Sequence, residues 1–137
     1  SSMDPGAFSN EILELVAVQN RLFDLGSNLA CEKSSREKYK LPSVGPSHVT
    51  ALEKGIDRMT LGLVPLKNFI LPGGHPSSGQ AHVCRTVCRR FERKMAADMD
   101  SLPPNALEFV NRLSDYFFTL ARYINSKMGR SEPIWTP

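Results

Sequence analysis

Apolar residues recur at three- and four-residue intervals through most of the chain, and no segment alternates in the two-residue rhythm of a strand. The spacing predicts a first helix from about Ser9 to Leu29, with Ile12, Leu15, Val16, Leu22, Phe23, Gly26 and Leu29 on its apolar side. Gly26 would let another helix approach closely there. Cys31 to Pro46 is charged and interrupted by Ser, Pro and Gly, as expected of a surface loop. Ser47 is placed to cap a second helix, whose Val49, Leu52, Ile56, Met59 and Leu63 follow a heptad spacing and predict shallow-angle packing. Pro65 closes it. A third helix starts after Pro76, with Ser77 and Gln80 spaced as a capping box, and runs to about Asp100. Pro103 and Pro104 open a fourth, running to about Lys127, with Leu107, Val110, Leu113, Phe117, Leu120 and Ile124 as its core face and Gly129 ending it. The fold class is all-α, an antiparallel helix bundle with short connections. Residues 1–8 read as an artificial or disordered lead-in, 9–128 as the bundle domain and 129–137 as a tail.

Two of these helices carry a second stripe. On the third, Cys84, Val87, Cys88, Phe91 and Met95 make an apolar face, and beside it run His82, Arg85, Arg89 and Glu92. Charge bordering a buried face needs a partner. Arg85 to Lys94 holds five positive residues against one Glu, so that partner is expected to be anionic. The fourth helix repeats the arrangement with Asn111, Asp115, Phe118 and Arg122, and Arg112 is spaced to pair with Asp115. Two such stripes can line one cleft, although salt bridges between helices would leave the same trace. The stretch Phe69 to Lys94, which enters through the break Pro72-Gly73-Gly74, is the segment around which the rest would be organised.

Composition narrows the reading. A length of 137 residues suits one domain, and a net charge of +3 is too mild for a general basic field, so an anion site must come from local clustering. No apolar run reaches membrane-spanning length. Three Cys, two on one helical stripe, suggest buried thiols in a reducing compartment rather than a disulfide framework. A ferritin-like metal bundle would need Glu-x-x-His pairs, and none occurs. A compact cation cluster interleaved with Cys, Val and Phe is a poor path for a phosphate backbone, but a binding surface for an acidic partner stays open as the alternative function.

The combination LPGG, HVCRTVCRRFER and NRLSDYFFTLARY, with RLFDLGSNLA upstream and EPIW at the end, resembles the trimeric ATP:cob(I)alamin adenosyltransferases of bacterial propanediol use and mitochondrial vitamin B12 metabolism. The likeness covers about Glu11 to Pro137. It implies a five-helix bundle that forms a homotrimer with sites at subunit interfaces, ATP (with Mg2+) and cobalamin as ligands, and a bacterial cytoplasm or mitochondrial matrix as the compartment. A reductase or a cobalamin-dependent acceptor enzyme would be a possible partner; neither nucleic acid nor membrane is expected.

The resemblance also implies roles. Phe69 matches a phenylalanine beneath the corrin that displaces the lower axial ligand, giving four-coordinate cob(II)alamin whose reduction is easier. Arg85 matches an arginine paired with an acidic residue of another helix, Arg89 one that contacts the ATP phosphates, and Glu92 a carboxylate that orders the cluster. Asn111 matches a nucleotide-contacting asparagine. Asp115 and Phe118 fall in the second motif, where Phe118 resembles part of the corrin pocket wall, and Trp135 lies where the family often has an aromatic residue over the corrin. Two features depart from the pattern. The Gly- and Thr-rich phosphate loop and the DELN-like first helix are not in this sequence, which enters at what should be the second helix, so ATP binding by these residues alone is expected to be weak. Phe91 replaces a usually small residue.

Overall fold

The structure, a computed structural model, describes residues 6–137. Its long helices are α1 (Ser9–Ala30), α3 (Pro46–Thr60), α4 (Pro76–Ala96) and α5 (Ala106–Lys127). A one-turn helix, α2 (Lys33–Arg36), falls within the stretch expected to be loop, and a 3₁₀ turn at Met99–Ser101 follows α4. Among the described residues there is no strand; one isolated bridge pairs Ile70 with Ile134. The architecture is therefore the expected all-α bundle.

Its hub is α5 and not the segment from Phe69 to Lys94. Twelve of the 22 residues of α5 are buried, including Val110, Leu113, Phe117, Leu120 and Ile124 of the expected core face. Helices α4 and α3 pack on either side of it. The α3 stripe of Val49, Leu52 and Met59 is buried as the heptad spacing predicts, with Ile56 packed at its margin.

Helices α1 and α4 are rotated away from the expected faces. On α1 the buried residues are Glu11, Val18, Leu25 and Asn28, whereas Ile12, Val16, Leu22 and Phe23 are exposed, Phe23 at 77%. The cause is a polar knot. Arg58 on α3 reaches Glu11 (2.6 Å) and both carboxylate oxygens of Glu14 (2.6 and 2.7 Å), and the Tyr116 hydroxyl of α5 donates to Glu14 (2.8 Å). Turning Ile12 and Val16 inward would turn these carboxylates out and leave Arg58 without them. Gly55 makes the close approach possible: a Cβ there would stand 2.8 Å from Glu14 Oε2 and 3.0 Å from the Tyr116 ring. Gly26, the glycine expected to serve a close approach, has open space beside it.

On α4 the buried residues are Ser78, Ala81, His82 and Met95. Cys84, Val87 and Phe91 of the expected core face are exposed and Cys88 is half-buried, so it is the polar stripe that faces α5. Between α1 and α4 an open groove of about 600 Å³ remains, with Phe117, Leu120 and Ile124 of α5 for a floor and Leu15, Leu22 and Cys84 among its walls. Two caps also differ from expectation. His75 caps α4 by accepting the Ser77 N–H (3.1 Å) with Pro76 in the first turn. Gly45 precedes Pro46 at the start of α3, its N–H donated to His48 Nδ1 (2.9 Å). Asp24 pairs with Arg21 on its own helix (3.1 Å).

Residues 1–5 of the expected lead-in lie outside the described residues. Phe8, also assigned to the lead-in, is fully buried and meets Tyr123 edge to face at 6.2 Å.

Candidate functional site: the α4–α5 seam and the Phe69 loop

The polar stripes of α4 and α5 meet along one seam. At one end the Asn111 amide donates to Glu92. Further along, the Arg85 guanidinium lies over the Phe118 ring, 5.2 Å from its centroid, and His82 meets the other edge of that ring at 6.1 Å. A cation on a ring face gains from the aromatic quadrupole where a carboxylate is not at hand. Arg85 makes no ion pair among the described residues, and neither does Arg89, which is exposed between Arg85 and Glu92. Arg112 bridges Asp115 at 2.7 Å, both at the surface. From Asn111 to Arg122 the seam runs over 12 residues of α5, roughly 16 Å of helix.

Two shallow cavities adjoin it. One of about 370 Å³ lies between α3 and α5 and is lined by Asp57, Arg112, Asp115 and Phe118. The other, about 350 Å³, includes Glu92, Asn111 and Arg112. Both are small and open beside the sites that enclose most of a drug-sized ligand.

Phe69 and Trp135 sit together beyond the other end. Their rings meet edge to face at 5.9 Å, beside a cavity of about 550 Å³. Phe69 is 77% exposed and Trp135 48%, so neither is a core residue. The loop carrying Phe69 is pinned at its far end by Asn125, whose Oδ1 accepts the His75 N–H (2.8 Å) and whose amide donates to the Gly73 carbonyl (3.0 Å). Gly74 has φ +92° and a Cβ there would overlap the Asn125 amide, so this corner requires glycine on two counts. Ser78 on α4, fully buried, donates to the Ala121 carbonyl (2.8 Å) and fixes α4 against α5 at the same end.

The structure thus brings the sequence-predicted residues into small groups: Glu92 with Asn111, Arg85 with Phe118, Arg112 with Asp115, and Phe69 with Trp135. Arg89 is on the same face without a partner. Asn125 and Ser78 were not singled out from the sequence. Asn125 follows Ile124 of the expected core face of α5, and Ser78 continues the polar stripe of α4 one turn before His82.

Burial holds the His82 imidazole below its ordinary value of 6.5; the charge of Arg85 acts the same way and that of Glu132 opposes it. Below about pH 6.5 the unfolded chain therefore takes up a proton that folded His82 resists, and stability falls as pH falls through that window. His82→Gln should flatten this part of the profile in thermal melts between about pH 5 and 8; an unchanged slope would remove His82 from the account. Burial also raises the Cys84 thiol, and pushes Cys88 up to about 11, with Cys84 and Glu92 adding to the effect. Both stay protonated near neutrality, which makes them poor nucleophiles. Among the described residues no cluster could hold a metal ion, and no helix is long and apolar enough to cross a membrane.

The sequence and the fold are similar to those of known proteins. The human corrinoid adenosyltransferase MMAB is 46% identical over 128 residues, covering 89% of this chain and 50% of that one. A corrinoid adenosyltransferase of Bacillus subtilis is 42% identical, covering 93% of this chain and 65% of the other. The chain spans about half the length of the curated mammalian relatives it matches. The fold superimposes with a TM-score of 0.83 on a variant PduO-type ATP:corrinoid adenosyltransferase from Lactobacillus reuteri complexed with cobalamin and ATP, at 35% identity over 95% of this chain and 71% of that one. Residues 7–124, all four long helices except the last residues of α5, match the family described as cobalamin adenosyltransferase, and this chain belongs to it.

Proposed function

We propose that this chain forms part of an enzyme that transfers the 5′-deoxyadenosyl group of ATP to cob(I)alamin. The observation that carries the reading is the pairing of two polar stripes along the α4–α5 seam, with an exposed aromatic pair beyond one end, in a chain of this family. In the reaction the electron pair of Co(I) attacks the 5′ carbon and becomes the Co–C bond, while the C5′–O bond breaks and its two electrons leave with triphosphate. Positioning the two reactants in line supplies most of the acceleration, with cations stabilising the charge on the leaving group.

Arg89 is the phosphate contact in this scheme. Its exposure and lack of an internal ion pair leave its guanidinium free to form a two-pronged bond to a phosphate. The hydrogen bond from Asn111 holds Glu92 one turn away on the same stripe, where the i,i+3 spacing lets its charge draw the arginine into place as phosphate binds. Phe69 faces the underside of the corrin; Trp135, in edge contact with Phe69, supports it on that same side rather than lying over the corrin as the resemblance implies, and Phe118, Asp115 and Arg85 form the wall between corrin and nucleotide. The seam is open and its cavities small, so a second subunit completes the site. Exposed apolar residues on α1 and α4, among them Val16, Phe23, Val83 and Val87, together with the open groove, support assembly, as the trimer reading requires. The alternative of a binding surface for an acidic partner finds no support in the family match.

The test is incubation with ATP, cob(II)alamin and a reductant, followed by the absorbance of adenosylcobalamin. The absence of both product and corrinoid binding would overturn the reading. Arg89→Ala should weaken ATP binding by about ten- to a hundred-fold without unfolding the chain, and Arg89→Lys should recover only part, since it keeps the charge and loses the fork. Calorimetry that finds ATP affinity unchanged in Arg89→Ala would remove this residue from the phosphate site.

A further inference from the structure

Beyond Lys127 the chain turns back on itself. Gly129 (φ +65°) closes a Schellman motif in which the Arg130 N–H bonds the Asn125 carbonyl (2.8 Å) and the Gly129 N–H that of Ser126 (3.3 Å). The reversal lays the tail beside the α3–α4 connection. There the Leu71 N–H donates to the Pro133 carbonyl (2.8 Å) and the Trp135 N–H to the Phe69 carbonyl (2.9 Å), one on each side of the Ile70–Ile134 bridge.

Two backbone hydrogen bonds between exposed segments do not hold a pair of strands in water. The ring packing is no substitute, since Phe69 and Trp135 are themselves largely solvent-facing. The remaining tie is Arg122 of α5, one turn beyond Phe118. Its Nε donates to Glu132 of the tail (2.9 Å) and its Nη2 to the Val64 carbonyl just after α3 (2.7 Å). The Arg122 side chain is only 12% exposed and that of Glu132 23%, so this pair is better shielded from solvent than the Arg112–Asp115 pair at the surface. One guanidinium therefore fastens together two segments 68 residues apart in the sequence. Arg122 and Asn125, nearly one turn apart on α5, hold the two ends of the connection that carries Phe69.

We propose that Arg122 is a positioning residue: with Glu132 it latches the tail to the α3–α4 connection and holds Phe69 and Trp135 as one aromatic platform for the corrin. The platform's ligand rests on the proposed function; the latch itself does not. A guanidinium suits the task because its edges can serve two acceptors in different directions, whereas an ammonium at the end of a lysine is a single point. Cutting the charged bond loosens the tail and leaves the buried α4–α5 contacts in place. The consequence is a selective loss at the corrin end, with the phosphate end, roughly 16 Å away along α5, undisturbed.

Trp135 is the only tryptophan, so its fluorescence reports on the latch directly. In Arg122→Gln and in Glu132→Gln, acrylamide quenching of Trp135 should rise clearly, and amide exchange at Leu71 and Trp135 should quicken by about tenfold. Corrinoid affinity, read by titration with cob(II)alamin, should fall by about tenfold while ATP affinity by calorimetry stays at the wild-type value. Arg122→Lys should be intermediate in all three corrin-end readouts. Unchanged quenching and exchange in Arg122→Gln would overturn the latch. A loosened tail with unchanged corrinoid affinity would overturn its positioning role, as would an equal loss of ATP and corrinoid binding with a lowered melting temperature, the mark of a merely structural residue. Wild-type chain that bound no corrinoid would instead sink the proposed function, and the latch would then stand or fall on quenching and exchange.

Discussion

Phe69→Ala is expected to cut adenosylation starting from cob(II)alamin by about a hundredfold or more, a rise of roughly 2.7 kcal/mol in the barrier. On the proposed function the Phe69 ring occupies the lower face of the corrin and keeps the axial base off the cobalt. Without that donor the orbital that must accept the electron lies lower, so the reduction preceding transfer comes within reach. The same substitution should hardly affect folding. Phe69 is 77% exposed, and removing a solvent-facing ring stays within about 0.5 kcal/mol. The discriminating measurement is the rate with chemically prepared cob(I)alamin, where ligand displacement is bypassed. Recovery of a large part of the activity is the expected result; equal losses with both substrates would sink the assigned role. Trp135→Ala should give a smaller effect of the same kind, because Trp135 reaches the corrin side through its edge contact with Phe69.

The elements themselves were legible in the sequence because three- and four-residue periodicity survives wherever a helix buries a continuous stripe. Helix α5 is the clearest case: Val110, Leu113, Phe117, Leu120 and Ile124 are inward as the period requires. Periodicity gave the wrong rotation for α1 and α4, and for one physical reason. Each has an apolar stripe and a polar stripe side by side, and a hydrophobic count favours the first. In α4 the seam with α5 offers Asn111 and Phe118 as partners for Glu92, Arg85 and His82, so the polar stripe turns inward. In α1 two carboxylates turn inward toward Arg58. Tertiary partners of this sort cannot be seen from one helix alone.

The candidate site divides in the same way. Arg85, Glu92, Asn111 and Phe118 could be read as one face because each pair shares a helix and a regular spacing. Phe69 and Trp135 were named through the resemblance; their contact across 66 residues left no periodic trace. Nor did the latch, since Arg122 reads as one more charge on a stripe and Glu132 as one in a polar tail. The α4 cap illustrates the local version of this difficulty. Ser77 had the right spacing to Gln80, but His75 stands before Pro76, and the proline ring already supplies the first-turn geometry.

The largest stability effect is expected at Arg58, which no functional reading uses. Glu11 is almost completely inaccessible, with 3% of its side chain exposed, and it is tolerated there as a carboxylate only because the Arg58 guanidinium meets it at 2.6 Å. Glu14 is held by the other edge and by the Tyr116 hydroxyl, which burial and the neighbouring carboxylate keep firmly protonated. The hydrogen bond and charge of Glu14, outweighing the desolvation of Arg58, make the guanidinium harder still to deprotonate, with Glu11 adding to this. Arg58→Ala leaves two carboxylates facing each other in a confined space between α1, α3 and α5. Removing one partner of a buried pair costs about 3–5 kcal/mol. Arg58 itself is 37% exposed and water can enter in its place, so about 3 kcal/mol is the expected figure, roughly 10 °C in melting temperature for a chain of this size. Adding Glu11→Gln to Arg58→Ala should restore part of the loss by removing the stranded charge, whereas Tyr116→Phe alone should cost only about 1 kcal/mol. Denaturant unfolding of the single and double variants measures all three. A loss below about 1 kcal/mol in Arg58→Ala would mean that solvent already screens this knot, and the rotation of α1 that exposes Ile12, Val16 and Phe23 would then need another cause.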